Sequence, residues 1–153
     1  IIVIDEGKVL SVSEFVPNSE KEYFENISSY GIIDERSAQQ LKEINTNKLN
    51  ELIASQNKSV VLIETDDCVY CEKLKPILGK LSIQYSFDIY SLKLNEGNQI
   101  DVENELIELG FSDTKVVAPL VIVVGENQLL DYIVGLSDKS IYVDKFTELG
   151  VIR

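Results

Sequence analysis

The 153-residue chain contains no histidine, no methionine and no tryptophan, and it has only two cysteines and three prolines. Without histidine there can be no Ser-His or Cys-His catalysis and no imidazole ligand for a metal. No stretch approaches the roughly 20 consecutive apolar residues that a membrane span needs. Basic residues are scarce, 14 against 26 acids, for a net charge of −12. Such a chain repels phosphate backbones and anionic lipid surfaces, which argues against nucleic acid as a partner. With no methionine and with Ile1 first, the expectation is that a tag, leader, signal peptide or membrane anchor was removed ahead of Ile1.

What is present is ordinary for one folded domain: 44% apolar and 26% charged residues, in a chain long enough to bury a core. The clearest patterning begins at Thr46, which can cap a helix through Asn47–Ser55, with Leu49, Leu52 and Ile53 at helical spacing. Ser59–Glu64 is a continuous apolar run ending in an acid, as expected of a strand buried on both faces. From about Cys71 to Tyr85, Leu74, Ile77, Leu78 and Leu81 form one helical stripe, with Pro76 expected to kink it. Phe87–Leu94 alternates as a second strand. Asp101–Leu109 reads as a helix stopped by Gly110. Leu120–Val124 and Leu129–Val134 read as a hairpin turning at 125–128, and Ser140–Leu149 as a last helix with Tyr142, Val143, Phe146 and Leu149 inward. The order α-β-α-β-α-β-β-α predicts an α/β fold with a mixed sheet covered by helices.

Residues 1–45 depart from this pattern. Ile1–Ile4 and Lys8–Val12 read as a hairpin, and Ser19–Ser29 and Asp34–Ile44 as two helices. Phe15, Tyr23, Phe24, Ile27 and Tyr30 carry too much apolar area to leave in water, so the segment is expected to pack on the domain that starts at residue 46.

The chemistry lies in Cys68-Val69-Tyr70-Cys71, placed where a strand gives way to a helix. A first cysteine at a helix N-terminus meets unpaired backbone N–H groups and the positive end of the dipole, which favour thiolate, its reactive form. A second cysteine one turn inward is near enough to attack a mixed disulfide and release the product.

With Val60-Val61-Leu62-Ile63 leading into that motif, Pro76 five residues beyond it, Val117-Ala118-Pro119-Leu120 before the hairpin and Gly135 after it, residues 46–153 resemble the thioredoxin superfamily. The short acidic extension gives a narrower resemblance to the bacteriocin transport accessory proteins of Gram-positive bacteria. The resemblance implies a thioredoxin-like mixed sheet flanked by helices, here with an N-terminal hairpin-plus-helices extension. It also implies thiol–disulfide exchange on protein substrates, with Cys68 as nucleophile and Cys71 as resolving thiol. Pro119 would be cis, and the Ala118 peptide would pair with an extended substrate backbone, with Tyr70 flanking it. No cofactor or metal is implied. A protein partner must recycle the pair, and an extracytoplasmic home is favoured over the cytoplasm.

The sequence also departs from the family pattern. Asp67 stands where the family has an aromatic, Val69-Tyr70 replaces Gly-Pro, and the buried acid usual six residues before the first cysteine is Leu62. Asp66, Asp67 and Glu72 should raise the Cys68 pKa, while Lys73, Lys75 and the helix end oppose them. Glu64 shares the Leu62 face one pleat nearer the cysteines. It is read either as a solvated strand end or as a proton relay for Cys71. The Cys pair itself leaves open a metal site completed by carboxylates or a second chain, and a structural or vestigial disulfide on a non-catalytic binding module.

Overall fold

The computed structural model describes the strands Ile2–Asp5 and Lys8–Val12 and the continuous stretch 41–153. The first two, β1 (Ile2–Asp5) and β2 (Lys8–Val12), form an antiparallel hairpin in which Asp5 pairs with Lys8. The helix expected over Ser19–Ser29 lies outside the described residues.

The main sheet has five strands in the order β3-β5-β4-β6-β7: β3 (Lys42–Ile44), β4 (Ser59–Glu64), β5 (Ile89–Lys93), β6 (Leu120–Gly125) and β7 (Gln128–Val134). β3 and β4 each run parallel to β5, whereas β6 is antiparallel to both β4 and β7. Four helices alternate with these strands: α1 (Thr46–Ala54), α2 (Val69–Tyr85), α3 (Gln99–Glu108) and α4 (Lys139–Glu148). None of the described helices is long and apolar enough to cross a membrane.

Two expectations are corrected here. The helix expected over Asp34–Ile44 does not reach its C-terminal end, because Lys42–Ile44 is the edge strand β3, with Ile44 paired to Leu92. Leu41 and Ile44 share a face at helical spacing but lie on opposite faces of a strand. Each face of this sheet has a core to fill: Leu41 packs against one cluster and Ile44 against the other. The sheet therefore begins four residues ahead of position 46. The second correction concerns the cap of α1, which is Asn45 rather than Thr46. Its side chain accepts from the Lys48 N–H at 2.9 Å. Both residue types cap well, but the strand ends at Ile44, so Asn45 is already the extended residue a cap requires.

All six residues of β4 are buried, which explains its unbroken apolar run. Alternation divides them between two cores. Val61 and Ile63 join Leu49, Leu52 and Ile53 of α1 and Val102 and Leu106 of α3. Val60 and Leu62 join Leu74, Leu78 and Leu81 of α2 and Tyr142 and Phe146 of α4. By the same alternation Glu64 points to the α2 side.

The β6–β7 turn places Glu126 and Asn127 both at positive φ, the geometry that matches the twist of a two-residue hairpin. Its backbone docks on the end of α1 through Glu126 N–H to Ser55 O and Asn127 N–H to Ile53 O. Gly125 before it has φ 152°, and a Cβ there would lie 2.7 Å from the Asn57 carbonyl oxygen, so only glycine fits.

Candidate active site

Cys68 and Cys71 are joined in a disulfide, with Cα atoms 5.2 Å apart. Cys68 is the N-cap of α2. Its Sγ accepts from the Cys71 N–H at 3.2 Å, and its carbonyl accepts from the Glu72 N–H. α2 thus starts at Val69, two residues earlier than the apolar stripe indicates, because the cap is the cysteine itself. One turn of helix sets the two cysteines in different surroundings: Cys71 is fully buried, whereas Cys68 is only partly covered. The cap position exposes Cys68 Sγ to the orphan N–H groups and the positive end of the helix, which stabilise a thiolate once the bond opens.

The Ala118–Pro119 peptide bond is cis, and Pro119 is buried. Leu120 pairs with Ile63, so Ala118 and Pro119 lie at the end of the sheet where β4 gives way to the cysteine motif. Gly135, just after β7, donates its N–H to the Pro119 carbonyl at 2.8 Å. The surface contributed by these segments is apolar, with Val69, Tyr70, Val117 and Leu136 all exposed. Tyr70 stands well out from α2, with the Lys73 ammonium 5.7 Å from the centre of its ring.

The charges are organised differently from the sequence expectation. Glu64 is not a solvated strand end: it is 5% exposed, and its Oε2 is 2.6 Å from Lys75 Nζ. Lys75 also reaches Glu72 at 3.1 Å. Burial alone would lower the Lys75 pKa, but its hydrogen bonds to Glu64 and Glu72 outweigh this and hold it above its ordinary value. Asp66 pairs with Lys93 at 3.0 Å. Two of the three acids expected to oppose a Cys68 thiolate are therefore matched by lysines. The third, Asp67, is exposed with φ 56° in the left-handed region.

Sequence reasoning placed Glu64 on the correct face but missed Lys75 as its counter-ion. The signal was available. Lys75 is four residues after Cys71 and so on the same side of α2, and that side faces the strand face carrying Leu62 and Glu64. Lys93 was also missed, and nothing in its local sequence marks it, since its pairing with Asp66 depends on β5 lying beside β4. Among the described residues no group of three or more metal-ligating side chains is assembled.

This chain has the thioredoxin fold. It is similar to the oxidised mitochondrial thioredoxin 3 of Saccharomyces cerevisiae, at 20% identity and a TM-score of 0.54, over 73% of this chain and 98% of that one. The thioredoxin of Aeropyrum pernix aligns at 19% identity and a TM-score of 0.56, over 74% and 90% of the two chains. A thioredoxin f2 solved in complex with ferredoxin:thioredoxin reductase aligns at 17% identity and a TM-score of 0.57, over 74% and 97%. No protein-family model and no curated protein sequence matches the chain.

Proposed function

We propose that this chain is a thiol–disulfide oxidoreductase that exchanges disulfides and dithiols of protein substrates through Cys68 and Cys71. One observation carries the reading: the chain's two cysteines close a disulfide at the N-terminus of α2, Cys68 partly exposed and Cys71 buried. That asymmetry suits a nucleophile and a resolving thiol.

In the reducing direction the Cys68 thiolate attacks a substrate disulfide. A bond forms between Cys68 and one substrate sulfur, the substrate S–S bond breaks, and the released thiolate takes a proton from water. Cys71 then gives up its proton and attacks Cys68 Sγ. The Cys68–Cys71 bond closes, the bond between Cys68 and the substrate sulfur breaks, and the second substrate sulfur departs as a thiolate that takes up a proton. The substrate has gained two electrons and two protons, which a reductase or dithiol partner must return to the pair. The thioredoxin f2 complex with its reductase supports such recycling.

Glu64 is the proposed acceptor of the Cys71 proton. It is buried on the α2 side of the sheet and tied to Lys75, one turn beyond Cys71. The Ala118 backbone, Pro119 and Tyr70 form the proposed seat for an extended substrate. Residues 1–45 are proposed to pack on the domain, supported by Leu41, which lies against the α2–α4 core where the chain enters the sheet.

The test is reduction of insulin disulfides with dithiothreitol as the source of electrons. Wild-type protein should accelerate it, and Cys68→Ser should fall to background. Wild-type activity at background would instead support a binding module that uses the same fold. In single-turnover experiments Glu64→Gln should slow resolution of the mixed disulfide by about tenfold or more and leave the first attack unchanged.

A further inference from the structure

Tyr142 is fully buried in the α2–α4 core, yet its hydroxyl is not directed at that core. It donates to the Gly135 carbonyl at 3.2 Å and accepts from the Ser137 N–H at 3.2 Å. Both groups belong to the turn between β7 and α4. The same turn donates the Gly135 N–H to the Pro119 carbonyl at 2.8 Å and displays Leu136 to solvent. A chain of hydrogen bonds therefore runs from α4, through this turn, to Pro119 at the end of the sheet where β4 gives way to the cysteine motif.

The core itself does not call for a hydroxyl here. Phe146 occupies the same cluster with its ring 6.1 Å from that of Tyr142, and phenylalanine would fill nearly the same volume. A buried phenol is costly unless its O–H is satisfied, so the hydroxyl's role is read from its two partners, which lie in one turn. Burial pushes the phenol above its ordinary pKa, against the hydrogen bonding from Ser137, which acts downward. The group therefore stays neutral, able to donate and accept at once, throughout the physiological range.

We propose that Tyr142 is a positioning residue for polypeptide substrates: its hydroxyl fixes the 135–137 turn and thereby holds the Pro119 segment and Leu136 in register with Cys68. The proposal rests on the redox reading above. It specifies that the substrate is a peptide chain needing an ordered backbone partner and an apolar neighbour. A small disulfide touches only the sulfur.

Tyr142→Phe removes both hydrogen bonds while leaving the core filled. KM for insulin should rise about three- to tenfold, as expected for losing one or two net hydrogen bonds. Its kcat, and the rate with 2-hydroxyethyl disulfide, should stay at wild-type values. Amide exchange at Ser137 should quicken. Ser137→Pro deletes the donor from the turn without touching the core, and it should raise KM in the same way. Faster exchange at Ser137 with an unchanged KM would overturn the proposal, as would an equal loss on the protein and the small disulfide. Wild-type protein inert toward both insulin and 2-hydroxyethyl disulfide would instead overturn the redox reading, and this proposal with it.

Discussion

Replacing Lys75 with methionine tests whether the Glu64–Lys75 pair is a structural element or surface decoration. Glu64 and Lys75 approach to 2.6 Å, with side-chain exposures of 6% and 22%. Removing one partner of a buried pair leaves the other desolvated and uncompensated, at a cost of about 3–5 kcal/mol. A fifth of Lys75 remains open to water, which places Lys75→Met at the lower end, about 3 kcal/mol. At roughly 2–4 °C per kcal/mol for a chain of this size, the melting temperature should fall by about 6–12 °C. The double variant Glu64→Leu/Lys75→Met should recover to within about 1 kcal/mol of wild type, because replacing both partners leaves no orphan charge. Urea unfolding followed by circular dichroism, with the disulfide intact, measures all of these. The pH dependence has a definite sign. The folded-state pKa of Lys75 is raised above 10.5, so the pair's contribution is whole below that value and is lost as pH climbs through the folded pKa. The gap between wild type and Lys75→Met should be flat from pH 7 to 10 and shrink only above about 10.5. A single-variant cost under about 0.5 kcal/mol, typical of exposed pairs, would refute the reasoning. So would a gap already closing at pH 8–9.

Mild alkylation of the reduced protein should label Cys68 well before Cys71, and Cys71→Ser should accumulate mixed disulfides with protein substrates; equal labelling read by mass spectrometry would reverse the assignment. Gly125→Ala should cost about 2–4 kcal/mol in urea unfolding, combining a strained φ with a contact that backbone atoms cannot relieve. Limited proteolysis should trim residues 1–40 only slowly, and their removal should lower the melting temperature; rapid loss with an unchanged midpoint would count against packing on the domain.

The sheet was legible in the sequence wherever burial imposed a period. β4, with both faces covered, reads as an unbroken apolar run. The Leu74, Leu78 and Leu81 stripe of α2 is read by a single core. β3 was not legible, because three residues cannot establish a period, and Leu41 just ahead of it and Ile44 at its end serve two different cores. The Cys68–Cys71 pair and the Ala118–Pro119 bond stood out because cysteine and proline are rare in this chain and fall at fixed places in the motif order. The Tyr142 hydroxyl left no such trace. A tyrosine on the buried stripe of a helix reads as core, and only the return of the 135–137 turn over α4 gives its oxygen partners.

The placement of the acid is where this chain's chemistry diverges most from the pattern it resembles. With Leu62 apolar, the carboxylate has moved two residues along the same strand face, about 6.6 Å toward the cysteines. A buried carboxylate on the α2 side of the sheet would be a liability if its charge stood alone. Lys75 removes that difficulty. It neutralises Glu64 from the helix that carries both cysteines, and it lies on the Cys71 side of that helix. Because the counter-ion rides on α2 rather than on another strand, Lys75 and Cys71 keep their spacing through the geometry of one helix. Lys75 is in turn shared with Glu72 in the first turn. The ammonium therefore offsets both Glu64 and Glu72, which leaves Asp67 to oppose the helix end at Cys68.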